Sequence, residues 1–353
     1  MKIVNIILTS QNGGAEQAFI DYLSALKKLG HTNIAILKED APYAAKIEDL
    51  GISVIKISNK FGYYDVFAIN RIKRIVEDYA ANIVVSHANR SNVLVRKALR
   101  KIKSKKIHQI AVNHSANVKR SIGSDIVISV NSKIMAKTVD LGQSYDRSFV
   151  VPNAINLEGI VVDKPVSFTK DKIVIGALGR FDRTKGFDLL IKAVAELKKV
   201  SEKKFVLKLA GAGYFEQDLK KLVKDFGIED RVEFLGWISD KSEFFSGVDI
   251  FCIPSKNEPF GIVVLEAMKY GKPIVATSAD GPMEILSNGK DSIIVNLQPE
   301  ESVADSLSKA FQKISSDEFF ANNIVKNATE KLLKKYSYEA LEKKLAEIVG
   351  VSK

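Results

Sequence analysis

The stretch "VDIFCIPSKNEPFGIVVLEAMKYGKPIVAT", residues 248–277, decides the fold. "DIFCIP" is a short apolar run ended by a proline. "PFG" then makes a tight turn, and an apolar helical pattern starts near residue 262. A second apolar run, "KPIVAT", completes a strand–turn–helix–strand unit. Strands that are apolar along their whole length, without polar alternation, predict a parallel sheet buried on both faces. The same unit repeats upstream as "KIVIGALGR" (172–180), a helical pattern over 187–199, "KFVLKLAG", a helical pattern over 214–226, and "RVEFLGW". It also runs through the first part of the chain. There "KIVNIIL" (2–8) precedes a helix through Leu29, in which Ala18, Tyr22, Ala25, Leu26 and Leu29 recur at three- and four-residue spacing. "GHTNIAIL", "ISVIKI", "ANIVVSH", "IHQIAVNH" and "DIVISV" supply further strands.

The predicted fold class is therefore α/β, with two Rossmann-like parallel-sheet domains. The Pro-Asn-Ala linker at 152–154 suggests a boundary that gives domains 1–157 and 158–335. "SYEALEKKLAEIVG" carries Leu341, Leu345 and Ile348 on one face. It predicts a last helix, within 336–353, that packs back onto the first domain. Parallel sheets bind ligands outside the carboxyl ends of their strands, so functional residues are expected just after strands.

Composition sets the remaining bounds. The 353 residues are 46% hydrophobic and 27% charged, which fits a folded globular chain and no low-complexity tract. No apolar run approaches the roughly 18 residues that span a bilayer. The opening "MKIVNIILTSQNGGAE" reads as a first strand, not a signal peptide. A single cysteine, Cys252, lies in an apolar strand, so a reducing, cytoplasmic compartment is expected. Net charge is +11, and residues 1–158 hold +10 of it, from 23 Lys+Arg against 13 Asp+Glu. The densest block, "RSNVLVRKALRKIKSKK" (90–106), has basic residues and no acid. Such a surface suits an anionic partner, and a solvated basic face reads equally well. Val95, Ala98, Leu99 and Ile102 form an apolar stripe within it, so weak association with an anionic membrane is an expectation.

Glu258 and Glu266 bracket the Pro-Phe-Gly turn. The first amides of the following helix have no partner within it, and the helix dipole is positive there, so the turn is suited to a phosphate. Gly261 would admit a ligand close to the backbone. Glu266 lies five residues on, about 7 Å along the axis at 1.5 Å per residue. That offset matches diphosphate to ribose, and a carboxylate can accept both protons of a diol. Glu258, before the turn, would face a sugar attached to the diphosphate. Taken alone, the stretch reads equally well as an ordinary helix start with a surface glutamate. Elsewhere, Arg180 and Lys185 in "LGRFDRTKG" can neutralise a diphosphate. Gly211 and Gly213 in "LAGAGY" allow close backbone approach. Backbone groups from Gly236 through Trp237 to Ile238 could hold a base.

Together these segments resemble the nucleotide-sugar-binding half of glycosyltransferase family 4, the retaining group-1 glycosyltransferases of GT-B fold. "GALGRFDRTKGFDLLIKA", "LAGAG", "DRVEFLGW", "PSKNEPFGIVVLEAMKYGKPIVAT" and "GPMEI" fall in the family's order over residues 173–285. "GGAEQAFIDYLSALKKLGH" is similar to the family's first turn and helix. The resemblance implies two domains facing a cleft. It implies that Arg180 and Lys185 bind the leaving diphosphate, Glu266 the ribose diol and Glu258 the donor sugar. Phe260, Gly261, Ile262 and Val263 would lend backbone amides, and Gly14 would admit the diphosphate to the first helix. His114, in "AVNHSA", matches the family's active-site histidine, with a contact to the donor sugar implied as the cleft closes. His87 also ends a strand and is a second candidate; His31 and His108 read as structural. In "GPMEI", Pro282 stands where the family often has a second glycine, while Glu284 is retained.

The resemblance implies a retaining glycosyltransferase that moves a sugar from a nucleotide diphosphate sugar to a glycan or lipid-linked acceptor in envelope polysaccharide or lipopolysaccharide synthesis. No cofactor and no metal are expected, since the sequence has no Asp-x-Asp pair. The expected location is cytoplasmic, with a peripheral position on the inner face of the membrane. Two other readings compete. One is an epimerase or phosphorylase on the same fold, which fold alone does not exclude. The other is a non-catalytic protein that binds membrane or nucleic acid. No aromatic-interleaved RNA motif or zinc spacing supports nucleic acid.

Overall fold

A computed structural model describes residues 1–11, 13–103, 106–162, 164–169 and 172–351. The chain divides into two compact units, residues 1–154 with 336–353, and residues 155–335. The division thus falls three residues before the boundary suggested by the linker.

The first unit is a seven-stranded sheet. Its strands are β1 (Lys2–Ile7), β2 (Thr32–Lys38), β3 (Ser53–Ile57), β4 (Ile83–His87), β5 (His108–Asn113), β6 (Ile126–Ser129) and β7 (Ser148–Val150). They lie in the order β3-β2-β1-β4-β5-β6-β7, and every pair is parallel. The helices between them are α1 (Gly14–Lys28), α2 (Ala44–Asp49), α3 (Val66–Asp78), α4 (Ala88–Leu99) and α5 (Ser132–Asp140). Central strands such as β4 are buried at every position, which is why their sequences do not alternate.

The second unit is a six-stranded parallel sheet. Its strands are β8 (Lys172–Leu178), β9 (Lys204–Ala210), β10 (Val232–Gly236), β11 (Ile250–Ile253), β12 (Ile274–Thr277) and β13 (Ile293–Val295). The order is β10-β9-β8-β11-β12-β13. Its helices are α6 (Phe187–Val200), α7 (Glu216–Asp225), α8 (Lys241–Ser246), α9 (Ile262–Lys269), α10 (Asp280–Ile285), α11 (Val303–Ser316) and α12 (Glu318–Lys335). In each sheet the chain starts mid-sheet, winds to one edge, then returns to the other side of its first strand. The reversal leaves a switch point between β1 and β4 in one unit, and between β8 and β11 in the other. There the loops on neighbouring strands diverge and a ligand can enter.

The last helix, α13 (Tyr338–Val351), belongs to the first unit. Leu341, Leu345, Ile348 and Val349 share an apolar cluster with Tyr22, Ala25 and Leu26 of α1. The Tyr338 hydroxyl donates to Asp21 at 2.8 Å, and Lys28 pairs with Glu342 at 2.9 Å.

The basic 90–106 segment corrects one expectation. Val95 and Ala98 are fully buried beside Leu94 in the sheet core, and Leu99 and Ile102 pack against that core. The apolar stripe covers the protein's own sheet and is not available to a membrane. Ser104 and Lys105 of this segment lie outside the described residues. Among the described residues no helix is long and apolar enough to cross a membrane. Cys252 is fully buried, and burial pushes its thiol well above the ordinary range, so it is inert.

Candidate active site

The second unit gathers its charged candidates at the β8/β11 switch point. After β8 the chain makes one short helical turn, Arg183–Lys185, opened by Asp182 and closed by Gly186 in the left-handed conformation (φ 67°). A Cβ on Gly186 would lie 1.9 Å from the carbonyl oxygen of Pro254, after β11. This contact brings the two loops together and sets Lys185 against Glu258. Lys185 Nζ lies 2.6 Å from Glu258 Oε2, and the two side chains are only 20% and 12% exposed. The pair couples the cation after β8 to the acid after β11. An anionic ligand beside Lys185 must share that ammonium with Glu258.

Arg180 is held differently. Its side chain is 68% exposed and pairs only loosely with Asp182, at 3.4 Å. Its guanidinium can therefore swing onto an incoming phosphate at little cost.

Glu266 sits on the buried side of α9. One carboxylate oxygen is bonded by Lys241, at the start of α8, while Oε2 is buried and has no protein partner. A buried carboxylate oxygen without a donor is costly, and a ribose hydroxyl would satisfy it. Lys241 carries no sequence signal that would have marked it. It follows a strand by a few residues in a loop rich in acids and serines, as surface lysines often do. α9 opens at Gly261, whose φ of 88° requires glycine; Phe260 beneath it is buried, and Ile262 and Val263 are half-buried. The Gly281 amide donates to the Glu258 carbonyl at 2.7 Å, which pins the turn to α10. Glu284 is half-buried on α10. Trp237 follows β10 with 69% exposure, and Ile238 is half-buried.

Gly211 and Gly213 also have a task within the fold. A Cβ on Gly211 would meet the Gly179 carbonyl oxygen at 1.9 Å, and one on Gly213 the Phe181 oxygen at 2.3 Å. The Phe181 amide donates to Ala212 at 2.9 Å, and the Gly211 amide to Gly236 at 2.7 Å. What fills the Cβ side of these glycines is the loop after β8. They act by stacking three strand-end loops side by side.

In the first unit the corresponding switch point holds Gly14, the first residue of α1, and two histidines. Glu16 accepts the Gly13 amide and the Thr9 hydroxyl, each at 2.9 Å, and so fixes the loop after β1. His87 ends β4 and is fully buried, packed edge-on against Phe19 and Tyr22. His87 Nδ1 lies 3.0 Å from His114 Nε2, so one ring donates to the other. His87 Nε2 and His114 Nδ1 have no protein partner. Burial holds His114 down to about 4, and burial together with His114 lowers His87 well below its usual range, so both rings are neutral near pH 7. His114, Asn89, Asn113, Ser115 and Asn117 line a cavity of about 60 Å³, room for more than one water or for a hydroxylated group. Ala88, on its wall, has a φ of 65°, a strained conformation for a residue with a Cβ. The three asparagines and the serine were not singled out from sequence, because isolated Asn and Ser residues carry no pattern. His31 meets the chain's N-terminus at 3.3 Å and His108 faces Asp125 at 3.9 Å, both away from this cavity's lining.

Comparison with known proteins bears on the second unit most directly. Residues 162–331 match the family model described as "Glycosyl transferases group 1". The matched segment contains every charged candidate of the β8/β11 switch point. Over nearly the whole chain, the protein is similar to the lipopolysaccharide core biosynthesis glycosyltransferase LpsE of Rhizobium meliloti (strain 1021), 28% identical over 337 residues, 94% of each chain. It is similar also to LpsD of the same organism, 23% identical over 345 residues, 97% of this chain and 96% of the relative. Among solved structures, Anabaena Alr3699/HepE in complex with UDP and glucose matches with a TM-score of 0.83 and 19% identity, covering 99% of this chain and 100% of that one. At that identity the likeness is one of fold: two parallel α/β sheets of the GT-B type.

Proposed function

We propose that the protein transfers a sugar from a nucleoside diphosphate sugar to a glycan or lipid-linked acceptor, in synthesis of a cell-envelope polysaccharide or lipopolysaccharide. The observation that carries this reading is the buried, partnerless Glu266 Oε2, one helix away from the Lys185–Glu258 pair in the segment that matches the group 1 glycosyltransferases. Its relatives support the substrate class, since LpsE and LpsD are named for lipopolysaccharide core biosynthesis and HepE was solved with UDP and glucose. The single buried thiol is in keeping with work in a reducing, cytoplasmic compartment.

In this reading Glu266 accepts the ribose diol, and the amides opening α9 with Arg180 and Lys185 take the diphosphate. Glu258 orients the donor sugar through the oxygen that Lys185 leaves free. His114 offers Nδ1 to a sugar hydroxyl, with its tautomer set by His87. The bond from the anomeric carbon to the diphosphate breaks as the acceptor oxygen bonds to the same face. The departing phosphate oxygen takes the acceptor's proton, and the configuration is retained. Fixed positive charge stabilises the leaving group where it develops, so a divalent metal is not required. The test is transfer from a donor panel to an envelope glycan extract with EDTA present, with the new linkage read by proton NMR. A retained anomeric linkage at undiminished rate is expected. An inverted linkage, or activity that only magnesium restores, overturns the mechanism.

A further inference from the structure

The first unit carries an exposed aromatic cluster that the transfer reaction does not use. Asp65 caps α3, and its carboxylate accepts the amides of Phe61 and Ala68 and the side-chain amide of Asn59. This buried acid ties down a tight turn, Gly62–Tyr64, from the inside and forces its neighbours outward. Phe61, Tyr64, Val66 and Phe67 are 55–78% exposed. They do not belong to the helix's core face, because α3 buries Ala68, Ile69, Ile72, Ile75 and Val76 instead. Large apolar side chains standing together in water mark an interaction surface.

Cations collar this cluster. Lys97 donates to the Tyr63 carbonyl at 3.0 Å and lies 4.6 Å from the Tyr64 ring centre. The Arg120 guanidinium lies 4.9 Å from the Tyr63 ring centre, and Lys101 donates to Asn70 at 2.9 Å. Lys60, Arg71, Arg100 and Lys119 are exposed around them. Arg96 lies beneath, donating to the carbonyls of Arg120 and Ile122; burial, then Arg100 and Arg120, disfavour its charge. Across residues 59–74, 88–103 and 115–124 there are twelve Lys and Arg and one acid, the buried Asp65. Of these, Lys73 and Arg74 pair with Glu77 and Asp78 on α3, at 3.6 and 3.7 Å, and the other ten leave the collar strongly basic.

We propose that Phe61, Val66 and Phe67, with their collar of cations, dock the protein on the surface of an anionic lipid bilayer. The chemistry matches an interfacial anchor: a few apolar side chains at headgroup depth, held there by attraction between Lys and Arg and acidic lipids. A single-stranded nucleic acid fits less well, because bases stack on open rings. Tyr63 and Tyr64 already carry a cation over a ring face, and Val66 has no ring. A second copy of the same patch would bring one strongly basic collar against another, which like-charge repulsion opposes.

The full chain is mixed with vesicles of phosphatidylethanolamine and phosphatidylglycerol, and with phosphatidylcholine vesicles, at about 50 mM and about 500 mM NaCl. Expected is binding to the anionic vesicles that weakens roughly tenfold or more with phosphatidylcholine or high salt. The doubly substituted F61S/F67S protein should lose roughly tenfold in anionic-vesicle affinity with an unchanged circular dichroism spectrum and melting temperature, since both side chains are exposed. R71Q/R100Q should weaken low-salt binding and flatten its salt dependence. Wild-type affinity in F61S/F67S, or no binding to anionic vesicles at low salt, overturns the proposal. So does tighter binding to polyuridylate than to the vesicles with the same sensitivity to F61S/F67S.

Discussion

Replacing Glu266 with Gln tests the nucleotide site at its most exposed assumption. Glu266 Oε1 is occupied by Lys241, and Oε2 is buried with no protein donor. If Oε2 accepts a ribose hydroxyl, that hydrogen bond is charge-assisted and contributes about 1.5–3 kcal/mol. At about 1.4 kcal/mol per tenfold, this corresponds to a tenfold to hundredfold loss of affinity in the Gln protein. Gln also turns an NH₂ either toward Lys241, donor against donor, or toward the hydroxyl, which must then accept from a neutral amide without charge assistance. The assay is calorimetric binding of the nucleoside diphosphate that binds tightest in a panel, alongside its 2′,3′-dideoxy analogue. The wild type should discriminate against the analogue by about the same factor, and Glu266→Gln should bind both alike. Circular dichroism controls for folding. A Glu266→Gln protein that still prefers the ribonucleotide as strongly as the wild type refutes the ribose role.

Three further outcomes follow from other groups. Lys185→Met leaves Glu258 as a partly buried carboxylate without its cation, so it should lower stability by about 1–3 kcal/mol and abolish turnover; adding Glu258→Gln should restore the melting temperature but not turnover. Asp21 is buried, and burial raises its carboxyl from 3.8 to about 6 against the lowering effect of Gln17 and Tyr338. The folded protein therefore favours the protonated acid, and the wild type loses stability as pH rises from about 4 to about 7. Asp21→Asn should be more favourable relative to wild type at pH 8 than at pH 4 by about 2–3 kcal/mol, read from urea unfolding at both pH values. Gly281→Ala would place a Cβ 2.3 Å from the Phe260 carbonyl oxygen, so the Phe260–Gly261 turn must shift. Nucleotide affinity should then fall at least about tenfold in a protein that still folds, measured by the same calorimetry.

The architecture was legible because parallel strands buried on both faces leave uninterrupted apolar runs, as "IVV" in β4 and "IFCI" in β11 do. β13 was missed, since "SIIVNL" is three residues of strand between turns. The charged site was half legible. Arg180, Lys185, Glu258 and Glu266 stand where a strand-end rule and a family resemblance both point. The pairing of Lys185 with Glu258 could not be read, because it depends on Gly186 touching Pro254, a contact between residues 68 apart. Lys241 was invisible for the same reason. The glycines of "LAGAG" were legible, but the β8 loop packed against them was not, since a sequence does not show what excludes a Cβ. The stripe over 90–106 failed through an ambiguity of amphipathic helices: the same spacing serves a membrane or the helix's own sheet.

Both switch points share one property that ties stability to function. A folded chain leaves few buried polar atoms without a hydrogen bond, because each costs about 1–3 kcal/mol. Here Glu266 Oε2 lacks a partner beside the β8/β11 reversal, and His87 Nε2 and His114 Nδ1 lack partners beside the β1/β4 reversal. Ala88, next to His87, adds backbone strain at the same place. The protein could have filled these positions with apolar side chains, as it does along the rest of β4 and α9. Keeping neutral imidazoles and a half-satisfied carboxylate there gives up stability for groups that a polyhydroxylated ligand can complete. His87 then has a defined task. Its Nδ1 meets only His114 Nε2, so whichever tautomer His87 holds decides whether His114 Nδ1 gives or accepts a hydrogen bond. His87→Phe would keep the packing against Phe19 and Tyr22 but free the His114 tautomer. It should therefore lower turnover while nucleotide affinity, which the proposed function assigns to the second unit, stays at the wild-type value. Loss of nucleotide binding with unchanged turnover would place the histidine pair in a different role.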